Sequence, residues 1–396
     1  MLDLEKIRAE TPGIVLGTAG AYLHNAGAAL MPQAALDAQK NHLDLEARIG
    51  GYAAATREAQ RLDAVYASVA RLINAAPDEI ALVENATVAW QMAFYGLALT
   101  FKPGDRILTA QAEYAANYVA LLQIAKRSGA VIEVVPNDAT GQIDVAALER
   151  MIDSRVKLIA ITWVPTNGGL ANPAAAVGGV ARAHNIPYLL DGCQAVGQMV
   201  VDVVQLGCDM FSATGRKFLR GPRGSGFLYV RRALLRNLEP PMIDHFAAPW
   251  VARDAYELRA DARRFESWEN NYAARAGLGA AVDYALSLGL PQIEARCRSL
   301  SARLRQGLGL VPGITVRDLG ASPTAIVSFT HERFPAREIV TGALAAGITI
   351  GASDPDSTRL DAEARALPVL VRASPHYYNS EDEIDRLIGY IAGLKA

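Results

Sequence analysis

The chain has 396 residues, 51% of them hydrophobic, enough to bury a sizeable core and to hold two domains of unequal size. A formal net charge of -2 leaves no basic excess to neutralise phosphates, which argues against a nucleic-acid partner. Cys193, Cys208 and Cys297 are odd in number and lack metal-ligand spacing, so reduced thiols in a cytoplasmic protein without a metal site are expected.

Met1 to Arg8 mixes charged and apolar positions without the apolar core of a secretory signal. The most apolar stretch, Val88 to Phe101, is too short and interrupted to span a bilayer, so no membrane partner is expected. Residues 1–25 read as a short helix and an extended arm, broken at Thr11-Pro12-Gly13. Between Tyr52 and Asn74, Val65, Val69, Leu72 and Ile73 recur at helical spacing beneath a polar face with Arg57, Glu58, Arg61 and Asp63. That spacing predicts one long amphipathic helix. Glu79 to Val83 then reads as a strand, Asn85-Ala86-Thr87 as a turn and cap, and Val88 to Leu99 as a mostly buried helix. Such a start offers N–H groups and the Thr87 hydroxyl to a phosphate, and a plain helix cap explains the same residues equally well.

Strand patterns at 106–110, 131–136, 157–164 and 186–191 then alternate with helical patterns at 115–128, 145–152 and 174–184. This alternation predicts an α/β fold, a mainly parallel sheet between helices. A last strand pair, 210–214 and 226–230, brackets a lysine-containing stretch. After Pro240-Pro241 comes an irregular aromatic region with His245, Phe246, Trp250 and Trp268, then helices near 270–288 and 291–308. Strand patterns at 314–317, 325–330 and 369–374, with helices near 336–346 and 380–394, predict a smaller α+β unit. The expected division is an arm at 1–25, a large domain at 26–260 and a small C-terminal domain at 261–396.

The stretch Ser212 to Gly226 sets Lys217 among glycines and Arg216, Arg220 and Arg223, just after the apolar run ending in Phe211. A lysine at a buried strand end can have its pKa lowered and act as a nucleophile. The arginines favour an anion nearby, and the glycines let backbone N–H groups approach it. A basic surface turn is the plainer alternative. Upstream, Asp191 ends the apolar run from Ile186, at the strand end where open α/β sheets bind ligands. A carboxylate there can pair with a pyridinium nitrogen.

With these residues in view, the sequence resembles the class V aminotransferase family of pyridoxal-phosphate (PLP) enzymes. Its relatives include cysteine desulfurases, isopenicillin N epimerases and ergothioneine-pathway carbon-sulfur lyases. The motifs are YLHNAGAALMP from Tyr22, ENAT from Glu84, PTNGGLANP from Pro165, DGCQAVGQ from Asp191, SATGRKFLRGPRGSGFLYV from Ser212 and VRASPHYYNSEDEID from Val371. The resemblance implies a fold type I enzyme: a large α/β domain with a seven-stranded-type sheet, a smaller α+β domain that the arm packs against, and a homodimer with active sites near the subunit interface. It implies pyridoxal 5'-phosphate as cofactor and an amino acid as substrate.

Residue by residue, the resemblance makes Lys217 the Schiff-base lysine and Asp191 the pyridinium partner. Gln194 and Asn167 fall near the ring's phenolic oxygen, and Tyr114 where an aromatic ring stacks on the cofactor. Ala86, Thr87, Ser212 and Arg216 fall on the phosphate; Arg216 stands where relatives usually have histidine. Arg372 falls on the substrate α-carboxylate, with His24 and Asn25 on the substrate side. Trp268-Glu269 replaces the relatives' Gly-Thr, which puts their cross-subunit phosphate contact in doubt here.

The expected chemistry is Cα deprotonation by the freed lysine. Desulfurases carry a sulfur-accepting cysteine in the small domain, but residues 310–396 contain none, so persulfide-forming desulfuration is not expected. Cys193, inside the cofactor motif, is a poor substitute. GRKFLRGPRG and SPHYYN point to the lyase and epimerase-like branch, hence to elimination from a cysteine-type substrate, with transamination or epimerisation as alternatives. Tyr114, His376 and Tyr377 are candidate acids. A non-catalytic module is disfavoured by the presence of both Lys217 and Asp191.

Overall fold

In the computed structural model, which describes residues 2–17 and 20–394, a short strand β1 (Ala21–Tyr22) precedes the central sheet. Parts of the predicted arm and small domain, Met1, Thr18, Ala19, Lys395 and Ala396, lie outside the described residues. The sheet is built from β2 (Ile80–Val83), β3 (Arg106–Ala110), β4 (Val131–Val135), β5 (Val156–Thr162), β6 (Tyr188–Asp191), β7 (Met210–Thr214) and β8 (Gly226–Val230), in the order β2-β8-β7-β6-β5-β3-β4. β8 runs antiparallel to its neighbours β2 and β7, and the other pairs are parallel.

Side chains on successive strand residues point to opposite faces. Leu108, Ile159, Leu190 and Phe211 therefore join one apolar cluster, with Val65 and Val69 of the helix Ala59–Ile73 and Val177 of the helix Ala174–Ala183. Their neighbours Ile107, Leu158, Leu189 and Met210 join the other, with Trp90 and Phe94 of the helix Ala86–Ala98 and Leu121 and Ile124 of the helix Ala115–Ser128. Helices cover both faces, so these strands read in sequence as near-continuous apolar runs.

The strand directions gather the site at one edge. Thr162, Asp191 and Ser212 are neighbours in register across β5, β6 and β7. Thr214 faces Gly226, so residues 215–225 form the loop joining β7 to β8 at that same edge. Val83, also opposite Gly226, brings Asn85 and the following helix start there. Gly226 permits this convergence, since a Cβ on it would lie 2.6 Å from the Ala213 carbonyl oxygen and 3.1 Å from Asn85.

After an exposed hairpin of β9 (Trp250–Ala252) and β10 (Ala255–Tyr256), the chain forms β11 (Ile314–Val316), β12 (Val327–His331), β13 (Ile348–Thr349), β14 (Gly351–Ser353) and β15 (Leu370–Ala373). A second sheet has the order β11-β12-β15-β14, and β1 pairs parallel with β13. Between these strand groups, the helix Tyr272–Leu288 packs on the helices Gln33–Ile49 and Ala59–Ile73. No helix among the described residues is long and apolar enough to cross a membrane.

The single helix expected over 52–74 is two helices, Gly51–Arg57 and Ala59–Ile73, broken at Glu58. The first buries only Ala54, so no apolar stripe holds it to the axis of the second. The helix Gln33–Ile49 has no counterpart in the sequence reading; it buries only Ala35, His42 and Leu45, too few to mark a helical period.

Candidate active site

At the carboxyl edge of the sheet opens a cavity of about 480 Å³, whose wall includes Lys217, Asp191, Ala86, Thr87, Tyr114 and Arg216. A larger groove of about 870 Å³, between Phe101 and the turn at His184–Pro187, contains none of the expected site residues. The smaller cavity is the candidate site, because the lysine and the carboxylate meet there.

Asp191 ends β6 and is 4% exposed. Its Oδ1 accepts from the Cys193 N–H at 2.9 Å and its Oδ2 from Asn117 Nδ2 at 2.9 Å. Burial pushes its pKa up, against the pull of these hydrogen bonds and of Lys217. A buried carboxylate of this kind is stabilised by a cation in the cavity.

Lys217 is 8% exposed, and its carbonyl accepts from the Arg220 N–H at 2.9 Å. Arg220, at φ 62°, turns away from the cavity into a fully buried position. There it donates to the Leu30 carbonyl at 2.7 Å, Tyr377 Oη at 2.9 Å and Thr11 Oγ1 at 2.7 Å, and lies over the Tyr378 ring. The expectation that all three arginines favour an anion is therefore corrected: Arg216 and Arg223 line the cavity, while Arg220 anchors the lysine turn.

Ala86 and Thr87 form the first turn of the helix Ala86–Ala98, capped by Asn85, whose side chain accepts from the Val88 N–H at 3.0 Å. Ser212 is fully buried, and its Oγ has no partner among the described residues. Arg216 donates to the Gly27 carbonyl and lies within electrostatic reach of Arg372 and His24. Tyr114 is half-buried at the start of the helix Ala115–Ser128, and burial raises its phenol pKa so that it keeps its proton.

Arg372, on β15, is 7% exposed. Its Nη1 donates to the Thr166 carbonyl at 3.0 Å and to Thr166 Oγ1 at 2.6 Å, while Nε has no partner among the described residues. Burial lowers its pKa to about 10, with Tyr114 opposing and Arg216 adding to the shift. A guanidinium still cationic at neutral pH with a free donor can clamp a carboxylate. Arg372→Ala is expected to raise KM for amino acids with a free α-carboxylate about tenfold to a hundredfold. Steady-state rates on acids and their esters check this: equal loss on both would remove Arg372 from carboxylate binding.

The His24 ring is wedged between Gly27 and Gly351, where an added Cβ would approach it to 2.3 Å and 2.2 Å. Burial, then Arg372 and Arg216, lower its pKa to about 4, so it is neutral at physiological pH. Asn25 is fully engaged: Nδ2 donates to the Ser374 carbonyl at 2.8 Å, and Oδ1 accepts from Tyr378 Oη. Gln194 Nε2 donates to the Ala26 carbonyl at 3.2 Å, and its Oε1 has no partner among the described residues.

Asn167, expected beside a ring oxygen, has both amide atoms engaged elsewhere. Nδ2 donates to Thr358 Oγ1 at 2.9 Å, and Oδ1 accepts from Ser353 Oγ at 2.5 Å. The candidate acids His376 and Tyr377 sit behind the lysine turn, where His376 Nε2 meets the Phe218 carbonyl at 2.6 Å and Tyr377 Oη meets Arg220. Tyr114 alone of the three candidate acids lines the cavity. Trp268 is exposed, its backbone N–H donating to Asp244 Oδ2 at 2.7 Å, and it lines a separate pocket with Tyr52 and Tyr272.

Sequence reasoning did not single out Glu113 or Asn117. Asn117 lies three residues after Tyr114, on the same face of the first helical turn, and that spacing is a signal for its place in the wall.

The donor set fits pyridoxal phosphate. A lysine, a buried carboxylate wanting a cation, a helix start and the Arg216 guanidinium face one cavity large enough for a small cofactor, and the unpartnered Ser212 Oγ belongs to the residue paired in register with Asp191.

A curated relative, a probable cysteine desulfurase of Xylella fastidiosa (strain 9a5c), is 31% identical over 402 residues, covering 99% of this chain and 96% of the relative. Among solved structures, the cysteine desulfurase CsdA from Escherichia coli superposes with a TM-score of 0.91 at 26% identity, over 99% of this chain and 98% of that one. The cystine C-S lyase C-DES, solved with its reaction product cysteine persulfide, gives a TM-score of 0.86 at 25% identity, over 98% of this chain and 100% of that one. The expected fold, a mainly parallel sheet between helices, agrees with these structures. Since residues 21–387 also match the family described as Aminotransferase class-V, the chain belongs to the class V aminotransferase family.

Proposed function

We propose that this protein is a pyridoxal-phosphate-dependent carbon-sulfur lyase that eliminates a sulfur leaving group from a cysteine-type amino acid. The observation that carries the reading is the meeting of Lys217, Asp191 and Arg216 in one cavity, close to the buried Arg372. When bound, the cofactor supplies an electron sink for the pair released at Cα.

The chain's own residues do the rest. Asp191 would hold a proton on the ring nitrogen, and Arg372 would bind the substrate α-carboxylate through its free Nε. Lys217 Nζ would hold the cofactor and, as a free amine beside the substrate, would take the Cα proton. The Tyr114 phenol, protonated through burial, has a proton to give to a departing sulfur. Ala86, Thr87, Ser212 and Arg216 hold the phosphate, Gln194 lies on the ring-oxygen side, and His24 is a neutral wall of the substrate side.

Elimination, rather than sulfur capture on a small-domain thiol, is supported by the cysteines. Residues 310–396 have none, Cys208 and Cys297 are buried, and Cys193 is in the cofactor cavity. The relative's printed name implies scission of the same carbon-sulfur bond, and C-DES is named a lyase.

The large domain at 26–260 carries the cofactor and the small one at 261–396 carries Arg372; the pairing of β1 with β13 supports an arm docked on the latter. Exposed Tyr52, Met242, Trp250 and Val251 support a homodimer. Reduced thiols suit a cytoplasmic setting.

A single-turnover reaction with a panel of amino acids and cysteine conjugates tests the reading. Mass spectrometry is expected to find the cofactor still as pyridoxal phosphate, with keto acid and ammonia released. Accumulation of pyridoxamine phosphate would instead make the protein an aminotransferase.

A further inference from the structure

Behind Asp191 lies a second buried carboxylate. Glu113 is 4% exposed and accepts five hydrogen bonds. They come from the Thr162 N–H at 2.8 Å, Thr162 Oγ1 at 2.5 Å, the Tyr114 N–H at 2.9 Å, Thr109 Oγ1 at 3.2 Å and Asn117 Nδ2 at 2.8 Å. The same Asn117 nitrogen donates to Asp191 Oδ2 at 2.9 Å. One amide NH2 group thus joins two carboxylates, a hydrogen to each.

Two buried carboxylates around a neutral amide need a cation to complete them. Glu113 has no cationic partner among the described residues; the titratable groups facing it are Asp191, across the amide, and Tyr188, whose phenol is neutral. Burial pushes Glu113 up to about 7, against its hydrogen bonds from Thr162 and Asn117, while Asp191 adds to the rise. The side of the pair that can receive a cation is the Asp191 face, which lines the cavity with Lys217.

We propose that Glu113 is a positioning residue for this site: through Asn117 it fixes the orientation of Asp191 and, when ionised, sets a second negative charge behind it, so that a ring nitrogen facing Asp191 holds its proton more tightly. This rests on the reading of the chain as a pyridoxal-phosphate enzyme. A fixed amide bridge leaves Asp191 one orientation toward the cavity, and like charges on the same side of a proton raise its affinity together.

The test uses holoenzyme reconstituted with cofactor carrying 15N in the ring, followed by NMR across pH in the wild type, Glu113→Gln and Glu113→Asp. In Glu113→Gln the midpoint for loss of the ring-nitrogen proton is expected to fall by about one pH unit or more. Its kcat falls while KM changes less than about twofold, and Glu113→Asp recovers part of both effects. A wild-type midpoint in a fully loaded Glu113→Gln would overturn the inference. Should that variant not fold or not load, Asn117→Ala decides by the same signal: a lowered midpoint supports the relay, and a wild-type one overturns it. A wild type that binds no cofactor would instead sink the enzyme reading itself.

Discussion

Lys217→Ala is expected to lower turnover by about 10³-fold or more and to abolish covalent attachment of the cofactor. Two separate functions rest on one amine in the proposed reaction: holding the cofactor until the substrate amine displaces it, then moving the Cα proton. No other lysine among the described residues lines the cavity. The turn that presents Lys217 is held from behind by Arg220 and its contacts with Leu30, Tyr377 and Thr11, so removing the side chain leaves the turn in place. Borohydride reduction followed by peptide mass spectrometry separates the two functions. The wild type should carry the reduced cofactor on Lys217 and the variant should carry none. A variant with normal activity would dismantle the site assignment.

Asp191→Asn should be the next most damaging change, with kcat reduced by about 10²- to 10³-fold. The substitution keeps size and some hydrogen bonding but removes the charge that, in the proposed reaction, would hold a proton on the ring nitrogen. It also sets an amide next to Asn117 Nδ2 and the Cys193 N–H, two donors that the carboxylate accepted. Cofactor content by absorbance and single-turnover rates check it. Full cofactor loading with a near-normal chemical step would show that the ring proton is not supplied from this position.

The alternation of strands and helices, and both members of the Lys217–Asp191 pair, were legible in the chain because each depends on local pattern. A strand covered on both faces must be apolar along its length, and a polar residue at its carboxyl end stands out; Asp191 does so after Leu189-Leu190. The helix Gln33–Ile49 was not legible, since its burial is set by the helix Tyr272–Leu288, more than two hundred residues away.

The arginines show the same limit at the site. Spacing places Arg216, Arg220 and Arg223 within one loop, but a left-handed turn at Arg220 sends that guanidinium into the junction with Tyr377 and Tyr378. Asn167 matched a family motif, and its amide is nonetheless engaged by Ser353 and Thr358.

By itself the sequence determined the α/β class and the family and picked out the lysine and carboxylate that meet in the cavity, since apolar periodicity and short motifs are local properties of a chain. The tertiary structure alone decided which arginines face the cavity, that Arg372 is buried with a free donor, and that Glu113 stands behind Asp191. The physical reason is that orientation, burial and charge pairing are set by neighbours distant in sequence, and no local pattern encodes them.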